Sequence, residues 1–129
     1  MKAAPRRSRR RGSAGREAAR VLAPGGSYCV AVVHPLNTAG AFVSCEPDAA
    51  FVIEGSYFEH TQRLIPVERD GFEMTFLDEH RPLKDYFRAL DAAGLLVERL
   101  REIPDLSGDE RALRWRRIPL FLHLRAVAP

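Results

Sequence analysis

The apolar positions of this chain switch between a helical period and short unbroken runs. From Arg16 to Leu22, Ala18, Val21 and Leu22 recur at helical spacing. The following Ala23-Pro24-Gly25-Gly26 predicts the end of that helix, because proline lacks an amide donor and glycine accepts positive φ. Tyr28 to His34 is a continuous apolar and β-branched run, the pattern of a strand buried on both faces of a parallel sheet. Pro82 to Ala93 reads as the clearest helix: Pro82 suits the first turn, Leu83, Tyr86, Phe87 and Leu90 form one apolar face, and Gly94 follows as a stop. A strand over Leu95 to Arg101 comes next, then a polar loop over residues 103–117, then a last strand over Ile118 to Val127.

Between the first strand and the second helix lies a long insert, residues 35–80, punctuated by Pro35, Gly40, Pro47, Gly55, Pro66 and Gly71. Such a length is uncommon for an idle connection and points to function. Within it, Tyr57 to Val67 and Phe72 to Leu77 predict a hairpin across Glu68-Arg69-Asp70-Gly71, since Asp-Gly favours the tight turns that match strand twist.

Charge divides the chain unevenly. Of its 20 basic residues, seven (Lys2, Arg6, Arg7, Arg9, Arg10, Arg11 and Arg16) fall in residues 1–16, leaving 13 to face all 17 acidic ones. The high isoelectric point therefore belongs to the tail, and the remaining surface is mildly acidic rather than built for nucleic acid. Residues 1–15 have too little apolar surface to offset ordering entropy and are predicted to be disordered, leaving residues 16–129 as the folded part. Cys29 and Cys45 lie in no CxxC or metal-ligand spacing and read as free thiols, so no metal site is expected. No apolar run approaches bilayer length and no secretory leader is visible, so a cytoplasmic protein without membrane contact is expected.

The combination of Leu22-Ala23-Pro24-Gly25-Gly26 before an apolar strand, His34-Pro35 after it, and His80 to Leu90 leading through Ala93-Gly94-Leu95 into another strand resembles the C-terminal half of class I S-adenosylmethionine-dependent methyltransferases. The resemblance covers roughly residues 16–127. It implies an α/β fold: a partial Rossmann-like sheet of three strands, the last one antiparallel and inserted between the other two, with the insert near the methyl acceptor. It also implies what is missing. The family's cofactor turn is glycine-rich and joins a strand to a helix, with an acid about 20 residues further on for the ribose hydroxyls, by the logic of dinucleotide sites. Gly25-Gly26 lies between a helix and a strand, which is the wrong order. S-adenosylmethionine is thus the cofactor of the complete domain, and none is expected to bind this chain alone.

Five residues stand out as candidates for the acceptor site. His34 is expected at the C-terminal end of a strand, where open α/β sheets bind ligands; a histidine held by a local hydrogen bond before Pro35 gives the same sequence. Tyr57, His60 and His80 lie on the insert, and each fits a solvated hairpin face as well as a pocket wall. His80 with Arg81 suits an acidic or hydroxylated acceptor, while Arg81 also fits a helix-start corner paired with Asp85. Trp115, among Arg114, Arg116 and Arg117, fits either base stacking or packing on the sheet, and packing is preferred because a lone aromatic leads into a strand.

These observations lead to a truncated small-molecule methyltransferase that retains the acceptor-side lobe and is inactive alone. Two other readings stay open: a non-catalytic partner that completes its sheet with another chain, and nucleic-acid binding through the basic tail. If a fourth strand is missing, the free edge of residues 28–34 predicts self-association. With only one full helix and a stub, both faces of the sheet are expected to be under-covered.

Overall fold

The computed structural model describes the backbone of residues 7–129 and the side chains from Ala14 onward. The chain folds into two units. The first holds α1 (Arg7–Val21), β1 (Ser27–Val33), α3 (Leu83–Ala92), β6 (Leu96–Ile103) and β7 (Phe121–Val127); the second holds α2 (Pro35–Thr38), β2 (Gly40–Phe42), β3 (Phe51–Ile53), β4 (Thr61–Arg69), β5 (Phe72–His80) and a 3-10 helix (Glu110–Arg116).

In the first unit the sheet order is β1-β7-β6, so the last strand sits between the other two as the resemblance implied. Its direction follows from the hydrogen bonds at its ends. Gly25 N–H donates to the Ala128 carbonyl (2.8 Å) and His34 N–H to the Leu120 carbonyl (2.8 Å), so β1 and β7 run antiparallel. On one face, Arg125 of β7 straps both neighbours: its Nε lies 2.7 Å from Glu98 Oε1 on β6, and its Nη2 donates to Ser27 Oγ on β1 at 3.1 Å. The opposite face holds the core of Leu122, Leu124 and Ala126, which alternate with exposed residues along β7 and pack with Leu90 and Leu95. Ala19 and Leu22 flank that core from the α1 side and Leu83, Tyr86 and Ala93 from α3.

Three expectations need correction here. Strand β1 is not buried on both faces: Tyr28, Val30 and Val32 are half-buried while Cys29, Ala31 and Val33 are exposed. An unbroken apolar run carries no information about which face will be covered, because that depends on where the helices pack. Both helices serve the same face, so one side of the sheet is covered and the other open, rather than both being under-covered. The first helix also starts at Arg7, well before Arg16, and takes in part of the segment expected to be disordered. Arginine and alanine are strong helix formers, and Gly15 is buried at the contact with α3, where a β-carbon would sit 3.7 Å from the Ala89 carbonyl oxygen and 3.8 Å from Ala93 Cβ. Residues 1–6 lie outside the described residues, and with them part of the basic tail.

In the second unit the insert carries the hairpin that the Asp-Gly signal predicts. β4 and β5 pair antiparallel from Thr61–His80 to Arg69–Phe72, leaving a two-residue turn in which Asp70 (φ 54°) and Gly71 (φ 79°) are both left-handed. That is the type I′ geometry, and it explains why an Asp-Gly pair is needed there. β5 runs on to His80 rather than ending at Leu77, whereas β4 begins at Thr61 rather than Tyr57 and continues to Arg69. β2 and β3, unforeseen in the sequence, pair so closely that a β-carbon on Gly40 would lie 1.9 Å from the Val52 carbonyl oxygen. The loop predicted over residues 103–117 contains the 3-10 helix, capped by Asp109, whose Oδ1 accepts from Arg111 N–H at 2.9 Å. Trp115 packs edge-on against Phe42 (4.9 Å between ring centres), and Phe42 against Phe51 (5.1 Å). Arg117 Nη1 donates to the carbonyls of Pro47 (3.1 Å) and Ala49 (2.5 Å), and its guanidinium lies over the Phe42 ring. The basic and aromatic run is therefore a clip on the loop between β2 and β3, the packing role preferred for Trp115.

Among the described residues, no helix is long and apolar enough to cross a membrane. Both cysteines are free and exposed.

Candidate functional site

Two buried histidines bracket the single turn of α2. His34 follows β1 rather than ending it, because Pro35 has no amide to continue a ladder and starts a helix instead. The His34 backbone is extended (φ −62°, ψ 137°), and its Nδ1 accepts the Leu36 N–H at 3.0 Å, so the imidazole caps α2. With Nδ1 accepting, the hydrogen of a neutral ring is on Nε2. The local hydrogen bond before Pro35 is thus present.

His80, the last residue of β5, is held at the other end of the turn. Its Nε2 lies 2.7 Å from the Tyr57 carbonyl oxygen, which only accepts, so Nε2 carries a hydrogen. Its Nδ1 lies 2.7 Å from Thr38 Oγ1, a hydroxyl able to give or take one; the same hydroxyl donates to the Pro35 carbonyl at 3.2 Å. The Tyr57 ring meets the His80 ring edge-on, 5.4 Å between centres. Both histidines are almost fully buried, at 6% and 4% exposure, and these bonds engage both ring nitrogens of His80 and Nδ1 of His34, as buried polar groups require.

Arg81 follows His80 and precedes the fully buried Pro82. Its side chain is 13% exposed, and the carboxylate facing it belongs to Glu79 rather than to Asp85: Nε lies 3.8 Å from Glu79 Oε2, beyond hydrogen-bond reach. Glu79 Oε1 accepts from Gln62 Nε2 at 2.8 Å. Among the described residues, Arg81 Nε and Nη2 are buried without a hydrogen-bond partner. These two nitrogens form one edge of the guanidinium, the edge that matches a carboxylate or phosphate in a two-point contact.

The structure therefore gathers His34, Tyr57 and His80 around α2 and sets Arg81 beside them in sequence. His60 is exposed in the turn before β4, outside this network. Thr38 and Glu79 are the residues that sequence reasoning missed. Thr38 had one signal, its place a helical turn after a His-Pro start; Glu79 had none, since its burial arises from the pairing of β4 with β5.

Among the described residues, the glycine turn after α1 and the two strand-to-helix junctions offer no free amides of the kind that cradle a cofactor such as S-adenosylmethionine. The amides of Gly25 and Gly26 are already committed, to the carbonyls of Ala128 and Ala23 at 2.8 Å each. Where β1 leads into α2 and β5 towards α3, the junctions are His34-Pro35 and Arg81-Pro82, and proline offers no N–H to a ligand.

No family model matches this chain, and no curated protein does. Solved structures do. A Listeria monocytogenes protein ascribed to the S-adenosylmethionine-dependent methyltransferases superposes with a TM-score of 0.71 at 19% identity over 92% of this chain and 55% of its own. An S-adenosylmethionine-dependent methyltransferase from Mesorhizobium loti gives 0.65 at 20% identity over 90% of this chain and 54% of its own. The likeness is one of fold. The chain spans little more than half the length of the structures it matches, in accord with the C-terminal half implied by its strand order.

Proposed function

We propose that this chain is the acceptor-side half of an S-adenosylmethionine-dependent methyltransferase acting on a small molecule, and that it transfers no methyl group by itself. The observation that carries this reading is the fold match over 92% of the chain to only 55% of a methyltransferase-like structure, joined to a sheet order of β1-β7-β6. Supporting it, the glycine turn that survives has its amides spent on the backbone. The cofactor is then held by residues other than these. The acceptor lies against the cluster of His34, Tyr57, His80 and Arg81, and the Arg81 guanidinium, whose Nε and Nη2 have no hydrogen-bond partner, favours an acceptor bearing an acidic group. His60, exposed on the hairpin side, would meet the acceptor only at its rim. The contribution of such a half-site to catalysis is positioning, which needs the other reactant held opposite.

Titration calorimetry of the folded chain with S-adenosylmethionine tests the reading. No heat of binding is expected; saturable binding in the micromolar range would overturn it. In a chimera carrying the first half of the Listeria monocytogenes fold, His34→Ala should impair turnover more than cofactor binding.

A second reading has its own support in β1. Its outer edge has no strand beside it among the described residues, and its seven residues contain neither charge nor proline. Such an edge accepts another strand readily, so the chain also suits a non-catalytic module that completes its sheet with a partner.

A further inference from the structure

We propose that the open face of the β1-β7-β6 sheet carries a binding groove for a small phosphomonoester with a flat apolar body. A groove of about 280 Å³ is bounded by all three strands, close to the lower end of the ~300–1,000 Å³ typical of small-ligand sites. Cys29 and Ala31 of β1 and His123 and Arg125 of β7, which are exposed residues of their strands, line it. Val30 and Leu124 turn their side chains to the core, so they offer the groove main chain only. Arg99 and Arg101 reach it from β6, the strand at the far edge of the sheet, and both are exposed.

The walls of this groove are basic and its floor is small and apolar. Arg125 is matched by Glu98 at 2.7 Å. Arg99 and Arg101 are not matched: among the described residues neither has an ion pair or a hydrogen bond, and the same holds for His123. The acids beside them on β6, Glu98 and Glu102, do not line the groove.

Two free guanidiniums supply two positive charges, and the His123 imidazole adds a hydrogen-bonding group. A phosphomonoester carries close to two negative charges at neutral pH, which balances the pair, and its oxygens suit the donor forks of arginine. A single carboxylate supplies only one charge. Cys29 and Ala31 are small and weakly polar, so a flat ring can lie on the sheet between the strands. None of these residues belongs to the cluster around His34 and His80, and the groove stands whether or not the methyltransferase reading does; calorimetry with S-adenosylmethionine decides that reading separately.

The groove holds its own reporter, since Cys29 is a free, exposed thiol, and Cys45, also free and exposed, lies in the other unit as an internal control. The test is alkylation of the full chain by uncharged iodoacetamide at fixed ionic strength, with each cysteine followed by peptide mass spectrometry and phenyl phosphate as the probe. A ligand in the groove covers Cys29, and its charge disfavours the reactive thiolate. Phenyl phosphate should slow Cys29 saturably, by about fivefold or more, and leave Cys45 unchanged. In the double variant Arg99→Gln/Arg101→Gln, which alters only exposed side chains, half-protection should need about tenfold more phenyl phosphate. Phenol and inorganic phosphate should each protect more weakly than phenyl phosphate. A Cys29 indifferent to phenyl phosphate overturns the proposal, as does equal slowing of both cysteines, which marks a bulk effect. Protection that survives intact in the double variant, or that phenol matches, also overturns it, because the arginines would then hold no phosphate.

Discussion

Replacing Thr38 by valine removes one hydroxyl from the buried network while keeping the side chain's shape and branching. The hydroxyl faces His80 Nδ1 at 2.7 Å and the Pro35 carbonyl at 3.2 Å. The other ring nitrogen of His80 is committed to Tyr57 at 2.7 Å, so the ring cannot turn to find a new partner without losing that bond. At 4% exposure water has little access to the orphaned nitrogen. A buried polar group left unpaired costs about 1–3 kcal/mol, and threonine and valine differ little in helix propensity. The expected loss is therefore about 2 kcal/mol, or roughly 8 °C or more in Tm at ~4–8 °C per kcal/mol for a unit of this size. Trp115 is the chain's single tryptophan and lies in the same unit, so urea unfolding followed by its fluorescence reads the change directly. Thr38→Ser should recover most of the loss, and in a His80→Phe background Thr38→Val should cost measurably less, the mark of a shared interaction. A Thr38→Val chain within about 0.5 kcal/mol of wild type, the range of an uninvolved surface change, would refute the network as a determinant of stability.

Three further outcomes follow from other parts of the molecule. Gly15→Ala should stabilise the chain by about 0.5–1 kcal/mol, because its methyl would meet Ala93 and the Ala89 carbonyl at ordinary contact distances; a lower Tm would show that α1 and α3 leave no room for it. Asp109→Ala should lower stability at neutral pH, since hydrogen bonds from Arg111 hold the Asp109 carboxyl below its ordinary 3.8. That contribution is fully present above 3.8 and is lost as pH falls through the lowered folded value, so the two proteins should converge in acid; an unchanged gap in thermal scans there would contradict the cap. Hydrogen exchange along β1 should divide between protected amides bonded to β7 and fast ones on the outer edge, and uniform protection would mean that the edge is covered.

Much of the fold is legible in local pattern, and the reason differs from element to element. The Asp70-Gly71 turn is set by backbone sterics within two residues, and helix α3 by a period and a terminal glycine, so both need only nearby sequence. The placement of β7 between β1 and β6 was legible by resemblance alone, since strand order is not written in any one segment. The candidate site was half visible. A His-Pro pair after an apolar run pointed to His34, but its role as a cap on α2 depended on Pro35 stopping the ladder. Tertiary structure alone decided that Thr38 meets His80 across 42 positions of sequence, and that Arg81 Nε faces Glu79 at 3.8 Å while neither Nε nor Nη2 has a hydrogen-bond partner. It also decided which side of β1 is open. Sequence specifies which residues are apolar, whereas burial depends on which other elements arrive to cover them; among the described residues, α1 and α3 both pack on the same face of this sheet.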